Sequence, residues 1–157
     1  MLIFALLMSI VSDSIQDKLT ALRHGRYPVV EGDHIVILGD SPVLLFLLEE
    51  LFCAAEIRGG SLIAILSSTP KPDLEQMIMD SNISLHNSEL VVRCGDSRRK
   101  EHLETVAVET AKRVIILSNL SLGREAADCH TLQTLLVLGR MGWPASGCTA
   151  VQSALVR

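Results

Sequence analysis

The chain has 157 residues, the length of one domain with at most a short appendage. Its 48% hydrophobic content and mean hydropathy of +0.37 exclude disorder. With 14 basic against 18 acidic side chains (net −4) and 3% aromatics, it offers neither a basic field nor stacking rings for nucleic acid. In chain order, the opening MLIFALLMSIV is apolar except for Ser9. As a helix it would rise about 16 Å, roughly half of a ~30 Å hydrocarbon core. No basic residue precedes it and no A-x-A site follows, so it does not read as a signal peptide. Val11, Ile15, Leu19 and Leu22 continue it as a helical stripe. Arg23, His24 and Gly25 supply a helix C-terminus, and Pro28 prevents an early restart. Lys18, Arg23 and Arg26 lie on the exit side, as cytoplasmic flanks do. One helix over 1–24 is therefore expected, shaped like the last half of a membrane span, with a linker over 25–33 that contains Gly32.

From His34 onward strands and helices alternate. His34–Leu38 reads as a strand closed by Gly39. Asp40 or Ser41 can cap the next helix, with Pro42 at its first position. Six apolar residues over Val43–Leu48 predict a helix buried on most sides, stopping at Arg58-Gly59-Gly60. Ser61–Leu66 is a second strand and Thr69–Pro72 a turn; Leu74, Met77 and Ile78 mark a short helix. Leu90–Cys94 is a third strand closed by Gly95-Asp96, followed by a short helix with Leu103, Val106 and Ala107 on its face. Arg113–Leu117 is the fourth strand; a helix over about Arg124–Met141 ends near Gly142-Trp143-Pro144, and Cys148–Gln152 is a fifth strand. This alternation predicts a Rossmann-like, doubly wound parallel α/β sheet over 34–157, truncated after about five strands.

In such a sheet ligands gather at the carboxyl ends of the strands where their order reverses. That crevice would be lined by Gly39, Asp40, Ser41, Gly95 and Asp96. Dinucleotide binding in the usual mode is not expected. Only the first glycine of G-x-G-x-x-G is present, Asp40 would repel a pyrophosphate, and Pro42 removes an amide. The second strand also ends in serines, without an acid for the ribose, so NAD is not expected as cofactor.

Arg98-Arg99-Lys100 reads as a solvated face balanced by Glu101 and Glu104. Asp128-Cys129-His130 resembles a metal trio, but adjacent helix positions diverge. His34 reads as a strand-edge residue, and Glu31 with Asp33 as a solvated turn. The cysteines Cys53, Cys94, Cys129 and Cys148 lack zinc or disulfide spacing and read as reduced core residues. No metal site is assigned, although a regulatory cation such as Ca2+ stays open as a ligand. No nucleophile elbow, P-loop or H-E-x-x-H is present, so no catalytic residue is assigned and an enzyme is not expected.

Ser12-Asp13 with Ile15 and Lys18, then Leu22–Gly25, His34 and Ile37–Gly39, resemble the passage from pore helix to regulatory domain in CASTOR/POLLUX ion channels. Arg93–Asp96, Leu103, Ala111 and Val114–Leu117 resemble the corresponding run of RCK (regulator of potassium conductance) domains, and Asp128, Leu132 and Leu135 fit the next helix. Asp40-Ser41 stands where the plant channels carry a tryptophan-serine pair, and Ser67–Pro70 replaces an acidic cluster. The resemblance implies a fragment of a ligand-regulated cation channel, the end of a pore helix joined to a first RCK-like domain. It further implies a homotetrameric gating ring on the cytosol-like side of a membrane, either nuclear envelope or plastid. Arg23, Gly25 and Gly32 would belong to the gating linker. The contrasting readings are a soluble Rossmann-type NAD-dependent enzyme or nucleotide sensor, and a non-catalytic oligomerisation module.

Overall fold

The computed structural model describes Val29 and residues 32–119, 123–143 and 151–154; the expected helix over 1–24 lies outside them. Five parallel strands form one sheet: β1 (Ile35–Leu38), β2 (Leu62–Ser67), β3 (Glu89–Cys94), β4 (Arg113–Leu117) and β5 (Val151–Ala154), in the order β3-β2-β1-β4-β5. The fifth strand starts three residues beyond the expected Cys148. Parallel neighbours need crossovers, and these are α1 (Leu44–Glu56), α2 (Lys71–Asp80), α3 (Lys100–Thr105) with a 3₁₀ turn at Val108–Thr110, and α4 (Arg124–Arg140).

The continuous apolar runs arise because the central strands are covered on both faces. Along β1, Ile35 and Ile37 point to one core and Val36 and Leu38 to the other, as period-two alternation requires. The first core packs β1, β2 and Leu117 against Leu44, Leu48 and Phe52 of α1 and Leu74 and Ile78 of α2. The second joins Val36, Leu38, Val114 and Ile116 to Leu103, Val106, Val108, Leu138 and Trp143.

Three local expectations need correction. Of Val43–Leu48 only Leu44 and Leu48 are buried, and Phe46 is 64% exposed. A helix covering one sheet face buries only a stripe, however apolar its flanks are. Neither Asp40 nor Ser41 caps α1 in the expected way. The cap residue is Val43, without a side-chain cap bond, and the Ser41 hydroxyl meets its amide only at 3.4 Å. The predicted turn over 69–72 is shorter too, since α2 already begins at Lys71.

The end of α4 shows how sequence terminates a helix. Gly142 takes φ +79°, the Trp143 amide donates to the Leu138 carbonyl at 3.1 Å, and that of Gly142 to Gly139. This is the Schellman arrangement, completed by burial of Trp143 beside Leu138. His34 is buried rather than at a strand edge. Its Nε2 lies 2.8 Å from the Val106 carbonyl, tying the start of β1 to the end of α3.

The approach to β1 is attached in the same region. The Val29 amide donates to the Thr105 carbonyl at 2.8 Å and the Asp33 amide to Thr110 at 3.0 Å. Gly32, between them, faces Thr110. The expected linker residues Arg23 and Gly25 lie outside the described residues.

Candidate functional site

The strand order reverses between β1 and β4, since β2 and β3 build outward on one side of β1 and β4 and β5 on the other. A cavity of about 370 Å³ opens there at the carboxyl ends of the strands. It brings together four of the five expected residues, Gly39, Asp40, Gly95 and Asp96. Ser41 lines a neighbouring hollow with Pro42 and Thr69 instead. Ser68, Arg98, Asn119 and His130 complete the wall.

Asp40 fastens two strand ends together. Its carboxylate accepts a bond from the Ser67 hydroxyl, and from the Ser68 amide and hydroxyl at 3.1 and 2.5 Å. The amide of Gly39 donates to Leu66 at 2.9 Å and that of Gly95 to Ser67 at 2.8 Å, carrying the sheet one residue past its strands. A carboxylate so supplied with donors is a structural anchor for the floor of the crevice.

Asp96 is held differently. Its carboxylate accepts the Arg98 amide at 2.9 Å, an Asx turn, and the Arg98 guanidinium at 2.7 Å (Nη2) and 3.0 Å (Nε). These bonds hold the Asp96 carboxyl down to about 2, with the charges of Arg98 and His130 adding to the effect. His130 Nε2 stands 4.0 Å from the same carboxylate. The Asp96 amide donates to His102 Nδ1 at 2.8 Å, and Ser97, the next residue, shares a buried 3.0 Å hydrogen bond with Thr134 of α4. The loop after β3 is thus fixed to α3 and α4 at once.

Arg98 is exposed as expected, but its partner is Asp96 at the crevice and not Glu101 or Glu104. Lys100 pairs with Glu104 at 3.4 Å. The available signal was Asp96 directly after the strand-closing Gly95, a position where Asp favours a turn by accepting the amide two residues on, which here belongs to Arg98. His130 joins the crevice while Asp128 and Cys129 stay exposed, as divergent helix positions imply. Asp33 is exposed and only loosely paired with Lys112, at 4.0 Å.

The acid dependence of stability follows from Asp96. Its folded value of about 2 lies below the ordinary 3.8. The stabilisation is fully present above about pH 4 and is lost as pH falls through 2. Asp96→Asn is expected to flatten the fall of the urea midpoint between those limits. A variant that loses stability with the parent's acid profile would refute this assignment.

The crevice does not fit Ca2+. That ion takes six to eight oxygens, whereas both carboxylates here are already bonded, and among the described residues no three His, Cys, Asp or Glu side chains converge on one point. Nor does any helix among the described residues have the length and apolarity to cross a membrane.

Comparison with known proteins agrees with the geometry. The chain is 35% identical over 138 residues to "Ion channel CASTOR" of Lotus japonicus, covering 88% of this chain and 16% of that protein. It is 32% identical to "Ion channel DMI1" of Medicago truncatula, again over 88% of this chain and 16% of the relative. With "Probable ion channel POLLUX" of Arabidopsis thaliana, identity is 31% over 91% of this chain and 18% of the relative. The chain thus spans about one sixth of the length of these relatives. The family model described as the calcium-activated potassium channel slowpoke-like RCK domain matches residues 33–152, and the chain belongs to that family of channel regulatory domains.

Proposed function

We propose that this chain is the regulatory domain of a ligand-regulated cation channel. Residues 1–24 end a pore-lining helix, 25–33 form the gating linker, and 34–157 form the RCK-like sensor. Four copies make a gating ring on the cytosol-like side of the membrane, in the nuclear envelope or a plastid. The exposed Leu132 and Leu136, one turn apart on α4, support such association. No catalytic role is assigned to any residue.

The observation that carries the reading is the Asp96–Arg98 pair in the crevice at the strand reversal. A small ligand with either charge must compete with that pair, and its binding would then rearrange the loop after β3. The loop is tied to α3, and α3 ends at Thr105, which holds the linker through Val29. Ligand binding opens a pore only through different affinities for two ring shapes, and this route supplies a difference in shape.

The test needs no identified ligand. His130→Trp would fill the crevice from α4 with an indole. In the full-length channel, recorded in planar bilayers, it should change open probability by about tenfold, a coupling of ~1.4 kcal/mol, without moving the reversal potential. An unchanged open probability refutes coupling of the crevice to the pore. A reversal potential that follows the anion gradient refutes a cation channel.

A further inference from the structure

Away from the crevice, on the outer side of α1, three side chains form a relay that no part of the channel reading uses. Cys53 and Glu56 lie three residues apart and so share one helix side. The α2–β3 loop returns over them. His86 Nδ1 sits 3.0 Å from Glu56 Oε2, and Nε2 sits 4.0 Å from Cys53 Sγ. A carboxylate only accepts, so the Nδ1–H faces Glu56, which leaves the Nε2 lone pair facing the sulfur.

The loop is shaped to hold that imidazole there. His86 and Asn87 both adopt left-handed backbone, at φ +43° and +60°. A Cβ on Gly60 would stand 2.2 Å from the Asn87 carbonyl oxygen, so only glycine lets the α1–β2 turn come so close. The Ser61 amide donates to the Ser88 hydroxyl at 3.2 Å, pinning the loop on its other side. Left-handed residues outside glycine cost free energy that local packing must offset. Here they place a base against an exposed thiol.

We propose that Cys53 is a thiol–disulfide exchange site, with His86 as its base and Glu56 orienting the imidazole. The Cys53 sulfur attacks one sulfur of a small disulfide as His86 Nε2 takes the thiol proton. The attacked S–S bond breaks, a protein mixed disulfide forms, and the departing thiolate receives the proton from His86. Cys53 is oxidised, and half of the incoming disulfide is reduced to a free thiol. Nucleophile, base and orienting acid within this reach are the general signature of an activated thiol, often looser before a reactant arrives.

The surroundings also select the reactant. Glu49 and Glu50 precede Cys53 by four and three residues, so with Glu56 they place three carboxylates around the sulfur on α1, while the facing loop contributes His86. A cationic disulfide is therefore favoured over an anionic one. The reduced 157-residue chain would be treated at pH 7 with cystamine or oxidised glutathione, and each cysteine followed by peptide mass spectrometry. A thiol is only a few per cent ionised at that pH, so base assistance can gain up to about 30-fold. His86→Asn, with a residue that tolerates left-handed backbone, should slow Cys53 about tenfold and leave Cys129 unchanged. The exposed change Glu56→Gln should slow it about threefold, and cystamine should outpace oxidised glutathione. An unchanged Cys53 rate in His86→Asn overturns the proposal. So does oxidised glutathione reacting as fast as cystamine.

Discussion

Gly39→Val is expected to destabilise the chain by about 4 kcal/mol, a large share of the 5–15 kcal/mol that holds a typical domain together. Gly39 ends β1 at φ +103°, and a Cβ there would lie 2.6 Å from the Leu117 carbonyl oxygen at the end of β4. Both strands are central and their partners buried, so neither backbone can yield without disturbing both cores. Gly59→Ala separates the two causes. Gly59 has φ +86° with nothing within 4 Å, so alanine there meets conformational cost alone, about 1–2 kcal/mol. Urea unfolding at neutral pH should show a midpoint loss for Gly39→Val at least twice that of Gly59→Ala. Equal losses would mean that the close approach of the two strand ends is not a constraint.

The second large effect concerns transmission to the pore. A Gly-Ser-Gly-Ser insert after Gly25 is expected to abolish the influence of the crevice on current in the full-length channel. The proposed linker is held to the domain at Val29 and Asp33 by main-chain bonds to Thr105 and Thr110. A displacement of α3 therefore reaches the linker directly, and inserted flexible residues between that anchor and the pore helix would absorb it. In the insert background the roughly tenfold change produced by His130→Trp should shrink below about twofold. Open probabilities of the four channels (parent, each single change, both) measure this as a double-mutant cycle. Undiminished coupling in the insert would show that the linker carries nothing.

The fold was readable because its strands are buried on both faces. Ile35–Leu38 and Leu62–Ser67 appear in the sequence as apolar runs closed by glycine or serine, and no competing helix pattern of that length fits them. Surface detail was harder. Met77 shares a helical pattern with Leu74 and Ile78 yet is 48% exposed, since spacing alone does not say how wide the covered stripe is. Gly39, Asp40, Gly95 and Asp96 line one cavity because crevices in such sheets follow strand ends, a rule of topology. Ser41 was misplaced because a one-residue step in a loop changes which hollow a side chain faces. His130, and the meeting of Cys53 with His86, depend on contacts 33 residues or more apart in the chain, and no local pattern encodes them.

The two hydrogen bonds that attach Val29 and Asp33 join peptide groups, which every amino acid but proline provides, and the Val29 side chain adds burial in the second core. Relatives could therefore exchange nearly every side chain along this stretch during evolution while keeping the same mechanical joint. Drift at the exposed positions here would say little about whether the joint survives, whereas a proline at either donor, a charge at buried Val29 or a β-branched residue at Asp33 (φ +64°) would betray its loss.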